Sequence, residues 1–156
     1  MKRPTATESQ VQQGSMIKLT IPGEPCAKQR PRVCKWGTYT PAKTVNYETF
    51  IKELFAISGQ QKLNGPLVLT IYAYFSIPKS DSKKTRQAKL SGEILPAKKP
   101  DVDNLIKIVA DALNGLAYDD DAQIVSATIK KVYGENPMVH VYVQRAMDDI
   151  GVGANA

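Results

Sequence analysis

The sequence predicts an α+β single domain in which a mixed β-sheet is packed by two main helices, in the order β-α-β-α-β-β. Two segments carry apolar residues at spacings of three and four, which is typical of helices with one buried face. Four others alternate apolar and polar residues or are rich in β-branched and aromatic side chains, as strands are. A chain of 156 residues with 42% hydrophobic content suits one compact domain with its own core.

The first part of the domain predicts a strand, a loop and a helix. Residues 17–21 alternate apolar and polar side chains, which indicates a strand with one buried face. Prolines and a glycine end that strand, and residues 26–37 are predicted to form a basic, proline-containing loop. A Thr-Pro pair is typical of a helix start, and the apolar stripe that follows predicts a helix over 41–58.

The second part predicts a buried strand, a helix and two further strands. An apolar stripe predicts a helix that starts near Asp103 or Asn104 and ends at the Asn114-Gly115 signal. The turn-forming residues 134–137 predict a hairpin between the last two strands. The other predicted elements are a strand over 67–77, a short exposed helix within 79–95, and strands over 123–133 and 138–144.

The two ends of the chain are expected to lie outside the folded domain, which spans 16–146. Residues 1–15 are polar and lack periodicity, and are predicted to be a disordered leader or the remnant of an added tag; 147–156 are predicted to be a flexible tail. No apolar stretch approaches the length of a membrane span and no signal peptide is visible, so we expect a cytoplasmic protein without a membrane partner. Cys26 and Cys34 are expected to be reduced.

The most informative segment is 99–125, which is rich in carboxylates although the chain has a net charge of +6. An acidic cluster inside a cationic protein is typical of a metal site that meets a polyanion, because the carboxylates hold a divalent cation and the basic remainder holds phosphates. The carboxylates of this segment are Asp101, Asp103, Asp111, Asp119, Asp120 and Asp121.

Asp101 and Asp103 are two residues apart at the entrance to a predicted helix, where the chain turns and both can point at one ion. A helix of about ten residues is only ~15 Å long, so the loop that follows can return Asp121 to the first pair. Oxygen ligands of this kind suit Mg²⁺ or Mn²⁺. Lys107 lies on the same helical face as Asp103, either to stabilise charge on a phosphate or as the partner in an ordinary ion pair.

The full pattern reads P-D-x-D-N-L-x-K, then D-A-L-N-G, then D-D-A-Q-I-V, and it resembles the RusA-type Holliday junction resolvases, often carried by prophages. Residues 23–32, GEPCAKQRPR, are similar to the G-x-P-x-x-K-x-R-P-R segment near the start of many members. The resemblance implies a Mg²⁺-dependent, structure-selective endonuclease, with Mn²⁺ as a substitute. It also implies a homodimer that nicks two opposed strands of a four-way junction in DNA recombination and repair. By motif position, the implied catalytic residues are Asp101, Asp103, Lys107 and Asp121, and the implied metal ligands are Asp101, Asp103 and Asp121 with Asp120 as an auxiliary.

Basic residues outside the acidic segment are the candidates for contacts with DNA phosphates. They are Lys28, Arg30, Arg32, Lys98 and Lys99. Trp36, Tyr39 and Tyr118 are interpreted as core or interface anchors, although such rings also stack on bases. The alternative function is a non-catalytic basic DNA-binding module, which explains the charge but leaves the acids without a purpose. A nucleotide-sugar transferase would also use a D-x-D pair, but 156 residues scarcely supply its nucleotide-binding half.

Overall fold

The computed structural model describes residues 16–27, 32–40 and 42–146, with the side chains of residues 32–34 and 39 excepted. The predicted leader and tail lie outside these ranges. Within them the chain forms the predicted α+β domain, with three helices and a mixed four-stranded sheet. No helix of the described ranges is long and apolar enough to cross a membrane.

The elements follow one another in the predicted order, with a small ribbon added near the start. They are β1 (Met16–Pro22), β2 (Arg32–Cys34), β3 (Gly37–Tyr39), α1 (Ala42–Ser58), β4 (Leu67–Ser76), α2 (Lys83–Leu90), α3 (Val102–Leu113), a short 3₁₀ helix (Asp121–Gln123), β5 (Ile124–Gly134) and β6 (Met138–Arg145).

The main sheet has the strand order β1-β6-β4-β5. β4 pairs antiparallel with β6 and parallel with β5, and β1 pairs antiparallel with the outer side of β6. The parallel pair is possible because α2 and α3 form the long crossover between β4 and β5. β4 is central because its inward-facing residues are all buried and both of its edges are paired.

The predicted hairpin between the last two strands is wrong. β4 lies between β5 and β6, so residues 134–137 connect two strands that are not neighbours in the sheet. The turn residues do separate two strands, as predicted, but a turn signal is local and does not specify which strand pairs with which. β4 takes the middle position instead, because pairing on both sides supplies hydrogen-bond partners for the N–H and C=O groups of this buried strand.

The helices α1 and α3 and the strands of the main sheet lie within two residues of their predicted positions, and α2 lies inside the predicted range 79–95. The predicted loop over 26–37 is wrong in part, because β2 and β3 form a separate two-stranded ribbon there. Strands of three residues are too short to show an alternating pattern, so the sequence carried no signal for them. α3 begins slightly earlier than predicted, with Asp101 at its N-cap.

The core lies between the sheet and the helices α1 and α3, which pack against each other. Ile51 and Phe55 of α1 are buried there, as are Ile108 and Leu113 of α3. Burial of each such side chain stabilises the fold by about 1.5–3 kcal/mol. α3 is thereby held along its apolar face, and its polar face, which starts with the predicted catalytic acids, remains accessible.

Candidate functional site

The first two predicted catalytic carboxylates lie at the start of α3. Asp101 is the N-cap residue, with φ −70° and ψ 151°, and its backbone carbonyl accepts the Leu105 N–H at 3.1 Å. Its side chain makes no capping hydrogen bond, although an N-cap Asp commonly accepts one. Asp103 lies in the first turn, and both residues are exposed. The helix start therefore presents two carboxylates to solvent, where backbone N–H groups favour negative charge.

Lys107 lies one turn beyond Asp103 on the exposed side of α3, as its spacing predicts. Both side chains are described, and the ion pairs found in the described part of the chain do not join them. The ordinary salt bridge that the sequence left open is therefore not formed. A role for Lys107 toward a phosphate stays a prediction.

The second acidic group is Asp119–Asp121, termed the acid loop, which follows Tyr118. Tyr118 is fully buried, and its hydroxyl donates to the Ala110 carbonyl at 2.6 Å. This bond satisfies a carbonyl in the last turn of α3, where the helix itself supplies no partner. Tyr118 is thus a core anchor, as predicted, and it attaches the start of the acid loop to the helix that carries Asp103.

The connection between α1 and β4 supports the acid loop from the other side. The Lys62 ammonium lies 2.7 Å from the Asp119 carboxylate, and the Leu63 N–H donates to the Ala117 carbonyl at 2.8 Å. These contacts join segments more than fifty residues apart in sequence, so periodicity could not predict them. Asp119, which precedes the D-D-A-Q-I-V pattern, therefore has a cationic partner of its own.

Gln123 makes the most hydrogen bonds to the acid loop. Its side-chain oxygen accepts the N–H groups of Asp119 at 2.9 Å and Asp120 at 3.0 Å, and its amide nitrogen donates to the Gly65 carbonyl at 3.0 Å. Asp120 in turn accepts the Ala122 N–H at 3.0 Å, which completes a capping box around the 3₁₀ helix. Sequence reasoning used Gln123 only as part of a motif and missed this role, for which the D-x-x-Q spacing was the available signal.

The carboxylates of the acid loop are electrostatically linked. The neighbouring Asp120 carboxyl group raises the pKa of Asp121, with further contributions from burial and from the charge of Asp111. The pKa of Asp120 is lowered, first by the Ala122 N–H and then by Asp121. Burial, with the charges of Asp121 and Asp111, raises the pKa of the Tyr118 hydroxyl. Asp111 of α3 therefore lies within electrostatic reach of the acid loop.

The predicted metal ligands form two separate pairs, one at the start of α3 and one in the acid loop. Within the described ranges, no three His, Cys, Asp or Glu side chains are grouped closely enough to hold a metal. Asp101 and Asp103 share the helix start, and Asp120 and Asp121 share the loop. Mg²⁺ is usually held by one or two carboxylates with waters and substrate phosphates, rather than by an all-protein cage. The donors fit Mg²⁺ on that basis, and the convergence of the two pairs stays a prediction.

A group of lysines packs on two aromatic rings near the C-terminal ends of β4 and β5. This lysine–aromatic cluster consists of Lys89, Lys98, Lys131, Phe75 and Tyr133. The ammonium of Lys89 lies 4.8 Å from the Tyr133 ring centre, Lys98 lies 5.6 Å from that of Phe75, and Lys131 lies 5.4 Å from that of Phe75. Lys131 also donates to the backbone carbonyl of Lys98, and Lys89 pairs with Asp81. The cluster therefore anchors the segment that leads into Asp101 and concentrates positive charge there.

The other predicted phosphate contacts are only partly described. Lys28 and Arg30 lie outside the described residues, and Arg32 begins β2 with its side chain outside the description. Lys99 is exposed beside Lys98. Their contacts with DNA stay predictions. Trp36 is 89% exposed, so it is not a core anchor, and its interpretation as an interface anchor stays a prediction. Cys26 is a buried free thiol, as expected, and burial raises its pKa.

Comparison with known proteins identifies the family of the chain. The family model described as "Endodeoxyribonuclease RusA" matches residues 22–144, which include α3, the acid loop and the lysine–aromatic cluster. "Uncharacterized protein YqaN" of Bacillus subtilis (strain 168) is 36% identical over 138 residues, which cover 82% of this chain and 95% of the relative. The chain therefore belongs to the RusA endodeoxyribonuclease family, and this membership supports an endonuclease that acts on Holliday junctions.

Proposed function

We propose that this chain is a Mg²⁺-dependent, structure-selective endodeoxyribonuclease that resolves four-way DNA junctions by paired symmetric nicks. The observation that carries the proposal is the pair of exposed carboxylates at the start of α3, where Asp101 is not used by the helix cap. Mn²⁺ is expected to replace Mg²⁺ because it accepts the same oxygen donors.

Bound Mg²⁺ would supply a water of lowered pKa and positive charge next to the scissile phosphate. Asp101 and Asp103 would hold the ion from the helix side, and Asp121, with Asp120 as an auxiliary, from the loop side. Lys107 would donate to a phosphate oxygen and stabilise the charge that develops on it. Because Asp103 and Lys107 are one helical turn apart, the scaffold of α3 sets their separation before substrate arrives.

The DNA-binding part of the proposal rests on charge. The chain has a net charge of +6 in spite of its acidic segment, and the lysine–aromatic cluster holds the ammonium groups of Lys98 and Lys131 at the segment that leads into Asp101. Such groups neutralise backbone phosphates without reading sequence. Two cuts in opposed strands need two sites related by a two-fold axis, so the active species is proposed to be a homodimer. The setting we propose is DNA recombination and repair in the cytoplasm, for a phage or prophage.

The test is cleavage of a labelled synthetic four-way junction and a matched linear duplex, in Mg²⁺, Mn²⁺ or EDTA. Wild-type protein should nick the junction symmetrically in either metal and leave the duplex intact. Asp101→Asn and Asp103→Asn should abolish cleavage and keep junction affinity, because each removes one ligand charge from the exposed helix start. Asp119→Asn is the matched control, since Asp119 is paired with Lys62 and is not a proposed ligand.

Each result has a definite meaning. Full cleavage by either α3 variant would refute the assignment of these two carboxylates. Junction binding without cuts in Mg²⁺ and in Mn²⁺ would favour the non-catalytic DNA-binding module. Equal loss of activity in Asp119→Asn, with full activity in Lys62→Gln, which breaks the same ion pair, would show that Asp119 is a ligand in place of Asp120 or Asp121.

A further inference from the structure

The ribbon formed by β2 and β3 carries a tryptophan at its tip. Cys34 pairs with Gly37, so Lys35 and Trp36 form the connection between the two strands. Trp36 is 89% exposed, more than any other large hydrophobic residue of the described chain. An indole ring is among the largest apolar surfaces a side chain can offer, and its full exposure is unfavourable. Trp36 is therefore a candidate binding residue.

The surroundings of Trp36 indicate the chemistry of its partner. The Lys35 ammonium lies 5.5 Å from the indole centre, and Thr38 on the other strand is exposed. The sequence contains no acidic residue between Glu24 and Glu48, but five lysines and arginines. A partner protein would be expected to need a wider apolar patch than one ring among polar and cationic neighbours. A nucleobase is a flat, uncharged ring attached to a polyanionic backbone, so it can stack on the indole while its phosphates contact the cations.

The ribbon also holds the ring in a defined place. Three residue pairs join β2 and β3, from Arg32 with Tyr39 to Cys34 with Gly37. Gly37 has φ +128°, a conformation that side-chain-bearing residues rarely adopt, and it allows the chain to reverse directly after Trp36. A ring that is already positioned loses less conformational freedom on binding than one on a free loop.

We propose that Trp36 is a binding site for a base at the branch point of branched DNA, where stacking between neighbouring bases is interrupted and one face of the base can stack on the indole. In continuous duplex both faces of every base are already covered by its neighbours, so Trp36 would add affinity for branched DNA alone. The inference rests on the proposed function and deepens it, because it assigns recognition of the branch to a residue outside the acidic site.

The chain contains a single tryptophan, so emission excited at a wavelength beyond the absorption of its seven tyrosines reports Trp36 alone. Wild-type protein in EDTA, which prevents metal-dependent cleavage, is titrated with a four-way junction or with duplex of equal phosphate content. Binding is followed in parallel by the anisotropy of labelled DNA, and free N-acetyltryptophanamide corrects for absorption by DNA. The junction should quench Trp36 emission as it binds, and the duplex should bind with little quenching.

Three variants test the affinity that the ring supplies. Trp36→Ala should weaken junction binding by about 5- to 150-fold, as loss of one base–aromatic stack does, and leave duplex binding unchanged. Trp36→Phe should recover much of the junction preference because it keeps an aromatic face, whereas Trp36→Leu should not. Circular dichroism should show the same fold in all three, since an exposed side chain contributes little to the core.

The outcomes separate this inference from the proposed function. A junction that binds and is cut, with no change in Trp36 emission and no effect of Trp36→Ala, would overturn the inference and leave the nuclease intact. Blue-shifted, quencher-protected emission before DNA is added would overturn it too, because the ring would then lie in a protein interface. Absence of any DNA binding would overturn both.

Discussion

The support of the acid loop by Gln123 can be tested by a single substitution. Gln123→Met keeps the approximate size of the side chain and removes its three hydrogen bonds, to the N–H groups of Asp119 and Asp120 and to the Gly65 carbonyl. These bonds are partly solvated, so each contributes near the lower end of the usual range, about 0.5 kcal/mol. Their sum is about 1.5 kcal/mol, which is a factor of roughly ten in the equilibrium between ordered and disordered loop.

The consequence should be visible in metal dependence. If Asp120 and Asp121 are metal ligands, the Mg²⁺ concentration for half-maximal junction cleavage should rise by up to about tenfold, because only the ordered loop binds the ion. Junction affinity in EDTA should not change. Gln123→Glu keeps an accepting oxygen but places a second, negatively charged oxygen against the Gly65 carbonyl, so it should not restore the wild-type free energy of unfolding.

The matched control is Gln61→Met, because Gln61 is an exposed glutamine in the connection that supports the loop. It should behave as wild type. The reasoning is refuted if Gln123→Met has the wild-type Mg²⁺ midpoint and an unchanged free energy of unfolding in urea. A loss of cleavage that excess Mg²⁺ does not restore would place the effect of Gln123 outside metal binding.

Three further predictions follow from packing and charge. Tyr118→Phe leaves the Ala110 carbonyl without its hydroxyl donor and should lower the free energy of unfolding by about 1–3 kcal/mol; an unchanged urea midpoint would contradict this. Ile108→Ala, at a fully buried position of α3, should cost about 2–5 kcal/mol in the same assay, and a cost below 1 would mean that the site collapses around the cavity. Replacement of both Lys98 and Lys131 by Gln should weaken binding to junction and duplex alike. It should also reduce the slope of log affinity against log salt by about 0.9 per lost contact, so an unchanged slope in an anisotropy titration would show that neither lysine contacts phosphate.

Much of the fold follows from patterns that are local in the sequence. The spacing of apolar residues located α1 and α3, and the alternation of side chains located β1, because each pattern repeats within one element. The same locality explains the errors. The three-residue strands of the ribbon are shorter than the pattern needed to detect them, and the turn before Met138 does not reveal that β4 lies between β5 and β6.

The site, too, has features that are visible in the local sequence and others that depend on contacts between distant segments. The D-x-D pair and the acid loop are visible in the sequence because the residue types alone indicate oxygen ligands. The hydrogen bonds from Gln123 to Gly65 and the ion pair of Lys62 with Asp119 join residues more than fifty positions apart, and no spacing rule relates them. The exposure of Trp36 was equally invisible, since a tryptophan is more often buried than exposed.

The sequence by itself determined the family, the helices and main-sheet strands, and the acidic residues of the proposed site, because motifs and periodicities are properties of short segments. Only the tertiary structure decided the order of the strands, the support of the acid loop, the grouping of lysines around Phe75 and Tyr133, and the exposure of Trp36. These depend on contacts between distant segments, which form where the chain buries the most apolar surface while pairing its backbone groups.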